Sequence, residues 1–366
     1  MEATDVSMTT ILAERLQRQR LTEPLKDPKE YKELFRLLQP VSPVFFSAPG
    51  DPPRLVHRTA FDDGDVTNKM RGERIIIKGR FLGGTIGYVL AEDLEVYANA
   101  FCRSLPWLNE TQQTVLDAIK RSETLTPRQI KEETGLLIKQ LTPALHRLQE
   151  AFMVYEDQVN SDWERNWYEF ATEWTEIHVE SEKWEESAAQ VLMRFLQSHV
   201  FATLEQLRDW SQFPSKSLLK LVQNMEKNKA IIPKVVEGLG EGWMLAKDIF
   251  LEPRKVVPSV FMLHRSDILA KSHVSELKRR FSGETPETPK SLGGQEVLQY
   301  LLIDGAFQGA VLGHWRIGPH DVDDIVIELP ASELIDRQKE IINAVSWQYR
   351  PPYSHILRYD GNEIGT

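Results

Sequence analysis

One arrangement of segments occurs twice in this 366-residue chain, at a spacing of about 75 residues, and it leaves few folds open. After Pro106-Trp107, Asn109 to Arg121 reads as an amphipathic helix with Val115, Leu116 and Ile119 inward. Asn109 followed by Gln112 resembles a capping box. Thr126-Pro127 opens a second, short helix, because proline at the first helical position lacks only an N–H that would be unpaired anyway, and Gly135 ends it. Leu136 to Glu150 supplies a third, striped by Ile138, Leu141, Leu145 and Leu148, with Pro143 either in its first turn or bending it. Phe152 to Tyr155, a polar turn at Asn160 to Asn166, and Trp167 to Phe170 read as strand, turn and strand.

The order then returns. Ser187 to His199, Thr203 to Trp210 and Ser215 to Asn228 are helical, the last capped by Ser215 and striped by Leu218, Leu219, Val222 and Met225. Ile231 to Val236, a Gly238-Leu239-Gly240 turn and Trp243 to Leu245 follow as a hairpin. Three helices and a hairpin are the winged-helix order. Residues 1–105 offer helices at Thr9 to Arg20 and Asp27 to Leu38, a Pro-rich stretch from Pro40 to Pro53, a strand at Arg74 to Lys78 and a helix near Ala91 to Phe101. They are read as a diverged third copy. After Pro258 the strand candidates Val297 to Ile303, Phe307 to Trp315 and Asp324 to Leu329 are punctuated by Asp304-Gly305 and Gly313, as tight hairpins require, and one helix, Ala331 to Trp347, closes the region. The expected fold class is α+β. It comprises a diverged winged-helix-like domain (1–105), winged-helix domains at 106–178 and 179–252, and a small β-rich, barrel-like domain at 253–366.

With 41% apolar and 27% charged residues the chain can bury real cores. No apolar run is long enough for a membrane span, and Glu2 and Asp5 stand where a secretory signal would be basic, so a cytoplasmic protein is expected. A single cysteine, Cys102, removes internal disulfides and multi-cysteine zinc motifs. The net charge of −10 argues, taken globally, against a nucleic-acid partner. Yet residues 151–190 hold eleven acids (Glu156, Asp157, Asp162, Glu164, Glu169, Glu173, Glu176, Glu180, Glu182, Glu185, Glu186) against Arg165 and Lys183. The remainder is nearly neutral. Trp163, Trp167, Trp174 and Trp184 lie in the same window, which reads as a solvated acidic hairpin and linker packed by its tryptophans, or else as a docking surface for a basic protein. On either reading this hairpin should point away from phosphate.

The third helix of a winged helix commonly enters the major groove, which makes Lys139, Gln140, His146 and Arg147 in one copy, and Lys216, Ser217 and Lys220 in the next, candidates for DNA contact. Denser basic faces lie at Arg15, Arg18 and Arg20, at Lys69, Arg71, Arg74, Lys78 and Arg80, and at Lys271, Lys278, Arg279 and Arg280. His314, His320, Asp321, Asp323 and Asp324 form the one compact His and carboxylate cluster, more in keeping with a hairpin loop than a metal site. No phosphate-binding loop, dinucleotide fingerprint, nucleophile elbow or zincin helix is present, and no cofactor is expected.

Several segments together resemble the AlkZ and YcaQ type of winged-helix DNA glycosylases. They are Leu12 to Leu21, Leu37-Leu38-Gln39, Gly84-Thr85-Ile86, Ala91-Glu92-Asp93-Leu94, the tandem repeat, Leu263 to Asp267 and the Gly305 to Gly313 hairpin. Order and spacing carry the resemblance over nearly the whole chain. It implies three tandem winged helices and a C-terminal β-barrel around a DNA channel, excising alkylated or crosslinked bases without a metal; double-stranded DNA is the expected partner and a monomer the expected state. The family's motif is glutamine, an apolar residue, then glutamine or aspartate. A cationic alkylpurine is a good leaving group, so such a pair has only to orient a water and stabilise the sugar cation. The matching residues here are Gln39-Pro40-Val41, and the family's Arg-Gly-Thr-Leu-His stretch is Gly83-Gly84-Thr85-Ile86-Gly87. Gln39 matches the first polar position, Val41 lacks the second, and Asp62 or Asp63 is the candidate base in its place. Three readings follow: a glycosylase, a non-catalytic DNA-binding regulator or damage sensor, and a protein scaffold that uses the acidic Trp-rich segment.

Overall fold

The structure is a computed structural model that describes residues 6–44, 50–157, 165–281, 295–314 and 321–364. Asp162, Trp163 and Glu164, most of the polar turn read at 160–166, Pro286, Pro289, Trp315 and His320 lie outside the described residues. The chain divides into two compact units, each discontinuous in sequence. One unit takes the described residues of Met1–Glu23, His199–Trp210 and Lys234–Thr366, and the other those of Pro24–Ser198 and Ser211–Pro233.

Helix α1 (Met8–Arg18) opens at Ser7, whose hydroxyl accepts from Thr10 N. Helices α2 (Tyr31–Leu38) and α3 (Gly64–Gly72) follow, then the antiparallel hairpin β1 (Ile76–Phe81) and β2 (Thr85–Leu90) and helix α4 (Leu94–Phe101). The predicted strand at Arg74 starts two residues late because Arg74 adopts φ 53°, a left-handed conformation that a strand cannot use.

The next segment follows the sequence closely. Helix α5 (Glu110–Ser122) carries the reciprocal Asn109 and Gln112 cap, and α6 (Pro127–Thr134) carries its own box from Thr126 and Gln129. Gly135, at φ 70°, ends α6 in the left-handed conformation glycine adopts without strain. Helix α7 (Ile138–Glu150) holds Pro143 in its interior, and Leu141, Leu145 and Leu148 pack with Val115, Ile119, Ile130 and Trp167. Ile138 faces out instead, at 51% exposure. A two-residue strand β3 (Thr124–Leu125), between α5 and α6, pairs with β5 (Asn166–Glu169), which also pairs with β4 (Val154–Asp157). Helix α8 (Phe170–Glu173) follows.

The second copy repeats the plan with α9 (Trp184–His199), β6 (Phe201–Ala202), α10 (Leu204–Ser211), α11 (Ser215–Lys227), β7 (Ile231–Val236) and β8 (Gly240–Leu245), in the strand order β6-β8-β7. Two stripe and cap expectations shift. Pro214, not Ser215, occupies the cap of α11, and Leu219 is exposed while Leu218, Leu221, Val222 and Met225 are buried.

Beyond β9 (Val260–His264), α12 (Ile268–Ser272) and α13 (Val274–Phe281) come β10 (Glu296–Ile303), β11 (Ala306–Gly313) and β12 (Val322–Ile327). Helices α14 (Ala331–Asp336) and α15 (Gln338–Ser346), which break the single predicted helix at Arg337, precede β13 (Arg358–Tyr359) and β14 (Asn362–Glu363). Asp304 and Gly305, at φ 50° and 82°, form the two-residue turn whose twist suits an antiparallel pair. Among the described residues the six strands run β14-β13-β12-β11-β10-β9 with free edges at β9 and β14, so the expected barrel is an open sheet. Alternate residues of β10 and β11 point to opposite faces of the sheet. Tyr300, Leu302, Ala310 and Leu312 pack with Leu16, Leu269, Leu277 and Phe281, whereas Leu301, Ile303 and Val311 pack with Ile341 and Val345. Both faces are covered by helices.

The Asn109 cap supports a helix whose partners are already packed. Replacing it with Ala should lower unfolding free energy by about 1 kcal/mol in urea denaturation, whereas a loss below a tenth of that would show the cap is dispensable.

Candidate functional site

Gln39 follows α2 in extended conformation and is 2% exposed. Its Nε2 donates to Asp93 Oδ2 at 2.7 Å, its Oε1 accepts from Leu90 N at 2.8 Å, and its carbonyl oxygen accepts from the Tyr97 hydroxyl at 3.3 Å. The Leu90 N–H can meet only an acceptor, which fixes the orientation of the amide. Two residues on, Val41 exchanges two backbone hydrogen bonds of 2.9 Å with Tyr88, so Gln39-Pro40-Val41 is stitched onto β2. Asp93 also accepts from Arg194 Nη2 at 2.7 Å, with Arg36 Nε at 3.6 Å, and the Arg194 guanidinium lies 5.7 Å from the Tyr97 ring centroid. Asp93, Arg194 and Tyr97 escape a sequence reading because nothing local ties residue 93 or 194 to residue 39. Both ends of the Gln39 amide are engaged by the protein, and this buried network braces the end of α2 against β2 and the turn at 91–93.

Asp62 and Asp63 are occupied elsewhere. Asp63, 3% exposed, accepts from the Tyr31 hydroxyl at 2.8 Å, from Leu55 N at 2.7 Å and from Arg54 Nε at 3.0 Å. Burial, reinforced by this carboxylate, pushes the Tyr31 hydroxyl well above its ordinary pKa. Asp62 is exposed, pairs with the Arg54 guanidinium and accepts from Gly64 N at 2.9 Å, as a loop-to-helix turn residue does. The side-chain partners of Gln39 are Asp93 and Leu90 rather than either of these carboxylates.

The basic faces read from the sequence are largely neutralised within the chain. Lys78 Nζ lies 2.7 Å from Glu156 Oε1, with the two side chains 8% and 0% exposed, and Arg165 Nε is 3.3 Å from the same oxygen. Burial pulls the Lys78 ammonium below its ordinary pKa, and Glu156 opposes that pull. Arg74 bridges Asp157, at 2.8 Å, and Glu173. Arg80 donates to Gln149 Oε1 at 3.0 Å and to the Gly84 carbonyl at 2.9 Å. Arg71 is buried, bonded to Asn68 Oδ1 at 3.2 Å and to the Gly50 carbonyl. Lys69 is exposed, 3.9 Å from Glu73. In the other unit, Arg18 is held by Glu14 and Asp248 at 2.8 Å each. Arg279 makes two bonds to Glu205 at 2.8 and 2.9 Å, and Arg280 binds Glu276, Glu328 and the Phe307 carbonyl. Lys278 is exposed.

Arg15 departs furthest from the expectation of an outward basic face. It is 4% exposed and donates to the carbonyls of His199 and Phe201 at 2.9 and 3.0 Å, because α1 turns this side chain inward with Ile11, Leu12 and Leu16.

The outward residues of α7 and α11 remain open. Lys139 and Gln140 are exposed, the latter capping Leu137 N at 3.1 Å, and Arg147 pairs with Glu150. Lys216 is exposed, while Lys220 stands 3.8 Å from Glu185. Among the described residues neither Lys139 nor Lys216 has a carboxylate in ion-pair range. Leu137 and Ile138, both about half exposed, immediately precede Lys139.

The acidic window is therefore only partly a solvated face. Glu156 and Asp157 are buried and Glu173 is ion-paired, whereas Glu176, Glu182 and Glu186 are exposed. Its described tryptophans are used internally. Trp167 is buried, Trp174 meets Tyr155 edge-on at 5.6 Å, and Trp184 donates to the Ala100 carbonyl at 3.1 Å and meets Phe213 at 5.5 Å. His314 pairs with Asp323 and His355 with Asp321, at 3.2 Å each, and no described trio of His, Cys, Asp or Glu has metal-binding geometry.

Residues 54–333 match the sequence model of a family described as DNA glycosylase AlkZ-like. The fold is similar to the solved structure of Streptomyces sahachiroi DNA glycosylase AlkZ, with a TM-score of 0.67 and 14% identity over 97% of this chain and 100% of that one. No curated protein matches the sequence.

The Lys78 and Glu156 pair generates a direct test. Glu156→Leu alone strands a buried ammonium and should cost about 3–5 kcal/mol of stability, with most of that loss recovered in Lys78→Met/Glu156→Leu. Denaturant titration reads both, and a single variant as stable as the parent would remove the pair from the account.

Proposed function

We propose, from the premise that this chain belongs to the AlkZ-like DNA glycosylase family, that it is a duplex-DNA-binding protein of that family in which Gln39 is a structural strut. The observation that carries this reading is the engagement of both ends of a 2%-exposed amide by Asp93 and Leu90. A glutamine that orients an attacking water needs an end turned toward substrate. The reading therefore favours a regulator or damage sensor over hydrolysis directed by Gln39.

The repeated order of helix, short strand, two helices and hairpin at 110–169 and 184–245 supports winged-helix units at 106–178 and 179–252, and α1, α2, α3 and the β1-β2 hairpin support a diverged unit in residues 1–105. On this reading α7 and α11 are the recognition helices, with Lys139, Gln140 and Lys216 meeting DNA and Lys69, Arg147, Lys220 and Lys278 at its margins. Arg18, Arg74, Arg80, Arg279 and Arg280 hold the protein together instead. No helix among the described residues is long and apolar enough to cross a membrane, and the protein is proposed to act in the cytoplasm as a monomer without a cofactor.

Base excision is the second reading, and one observation favours it. A buried carboxylate, Asp93, stands 2.7 Å from the Gln39 amide nitrogen, where it could serve in place of the polar residue missing at Val41. Its oxygens already accept from Arg194 and from Gln39 itself, which leaves little of the carboxylate to meet a water. Asp62 and Asp63 are weaker candidates because of their engagement by Arg54, Tyr31 and Leu55.

Two assays decide. Duplex binding should weaken with salt, and Lys139→Ala and Lys216→Ala should each reduce the slope of log affinity against log salt by about 0.9. Unchanged slopes would exclude these helices as the phosphate contact. Incubation with DNA carrying cationic alkylpurines should yield no abasic sites above buffer, and release by the parent protein that disappears in Asp93→Asn would establish excision instead.

A further inference from the structure

We infer that a cavity bordered by Arg15 binds a small phosphate-bearing anion, an inference independent of the reading above. The cavity lies within one compact unit, has a volume of about 550 Å³ and is walled by α1, α10, α12, α13 and the β10-β11 turn. That volume falls in the ~300–1,000 Å³ range of small-molecule sites.

Arg15 supplies the driving force. Its Nε and Nη2 are satisfied by two carbonyls, which solvate a cation without neutralising it. Among the described residues no carboxylate lies in ion-pair range of it, and Nη1 has no hydrogen-bond partner. Burial pulls its pKa down to about 10, so it remains charged at neutral pH. An uncompensated buried guanidinium is costly, and an anion in the adjoining space offsets that cost.

The other charges on the wall are already matched. Glu205 is bound by Arg279 and Glu276 by Arg280, while Asp209 accepts from Ser275 N at 2.7 Å and its hydroxyl at 2.8 Å, with Arg208 at 3.5 Å. Arg15 is therefore the guanidinium on this wall without a carboxylate partner among the described residues. His273 adds a neutral wall. Its Nδ1, 2.9 Å from the Leu269 carbonyl, must carry a proton, so Nε2 accepts from Gln206 Nε2 at 2.8 Å. Burial, with the nearby Arg15 charge, pulls the His273 pKa down to about 4. The Arg15 guanidinium, with Nη1 left over from its two carbonyl bonds, suits a phosphate oxyanion, and the space beyond it suits a nucleotide-sized remainder.

Calorimetric titration of the full chain tests this with three probes: inorganic phosphate, a deoxynucleoside 5′-monophosphate and the matching nucleoside. Both anions should bind and the nucleoside should not, and tighter binding of the monophosphate than of phosphate would assign a nucleotide as the natural ligand, equal binding the free ion. Arg15→Met should weaken anion binding at least tenfold. Because that variant disturbs a buried position, Ala306→Trp, which fills the cavity and leaves Arg15 in place, is the second arm and should have the same effect. No anion binding at millimolar concentration, or binding that survives Ala306→Trp unchanged, overturns the inference.

Discussion

The buried pairing of Lys78 with Glu156, extended by Arg74 to Asp157 and Glu173, ties the β1-β2 hairpin to β4 and α8. Ions taken from water at this depth are stable only when paired, and Arg165 adds a second cation to Glu156. Each sequence therefore constrains the other: the acidic segment needs the basic hairpin, and the basic hairpin is no longer available to phosphate. A chain with net charge −10 thus spends much of its local charge on its own architecture. The exposed cations left on α7 and α11 are few, and they lie where a winged helix would use them.

The same logic governs Gln39. In isolation Gln39-Pro40-Val41 invites comparison with a catalytic motif, but a motif specifies chemistry only if its groups face a substrate. Here the backbone of Val41 pairs with Tyr88, and the amide joins Leu90 to an Asp93 that is itself held by Arg194. On the proposed reading an apolar Val41 and an engaged Gln39 are consistent with each other, since a strut needs no partner at position 41.

What was legible in the sequence was local. Asn109 with Gln112, Thr126-Pro127, Gly135 and Asp304-Gly305 each act within a few residues, and each does what its chemistry dictates. Strands β3 and β6 were invisible because two residues carry no period, and the helices that cover the two faces of the C-terminal sheet come from segments far apart in the chain. Side-chain destinations were least legible. Arg15 sits on a helix rich in arginine and reads as a surface residue, yet it is buried against carbonyls more than 180 positions away. The partners of Gln39 and Lys78 are likewise set by tertiary packing, with separations of 54 and 78 residues.

A crystal structure of the protein bound to duplex DNA containing a stable abasic-site analogue separates a structural Gln39 from a catalytic one. In that complex Gln39 Nε2 should remain on Asp93, no water should bridge the amide to the sugar, and Lys139 should lie against phosphate. A Gln39 side chain turned to hold a water at the anomeric carbon, with Asp93 released from it, would instead make Gln39 a catalytic group and this chain a working glycosylase.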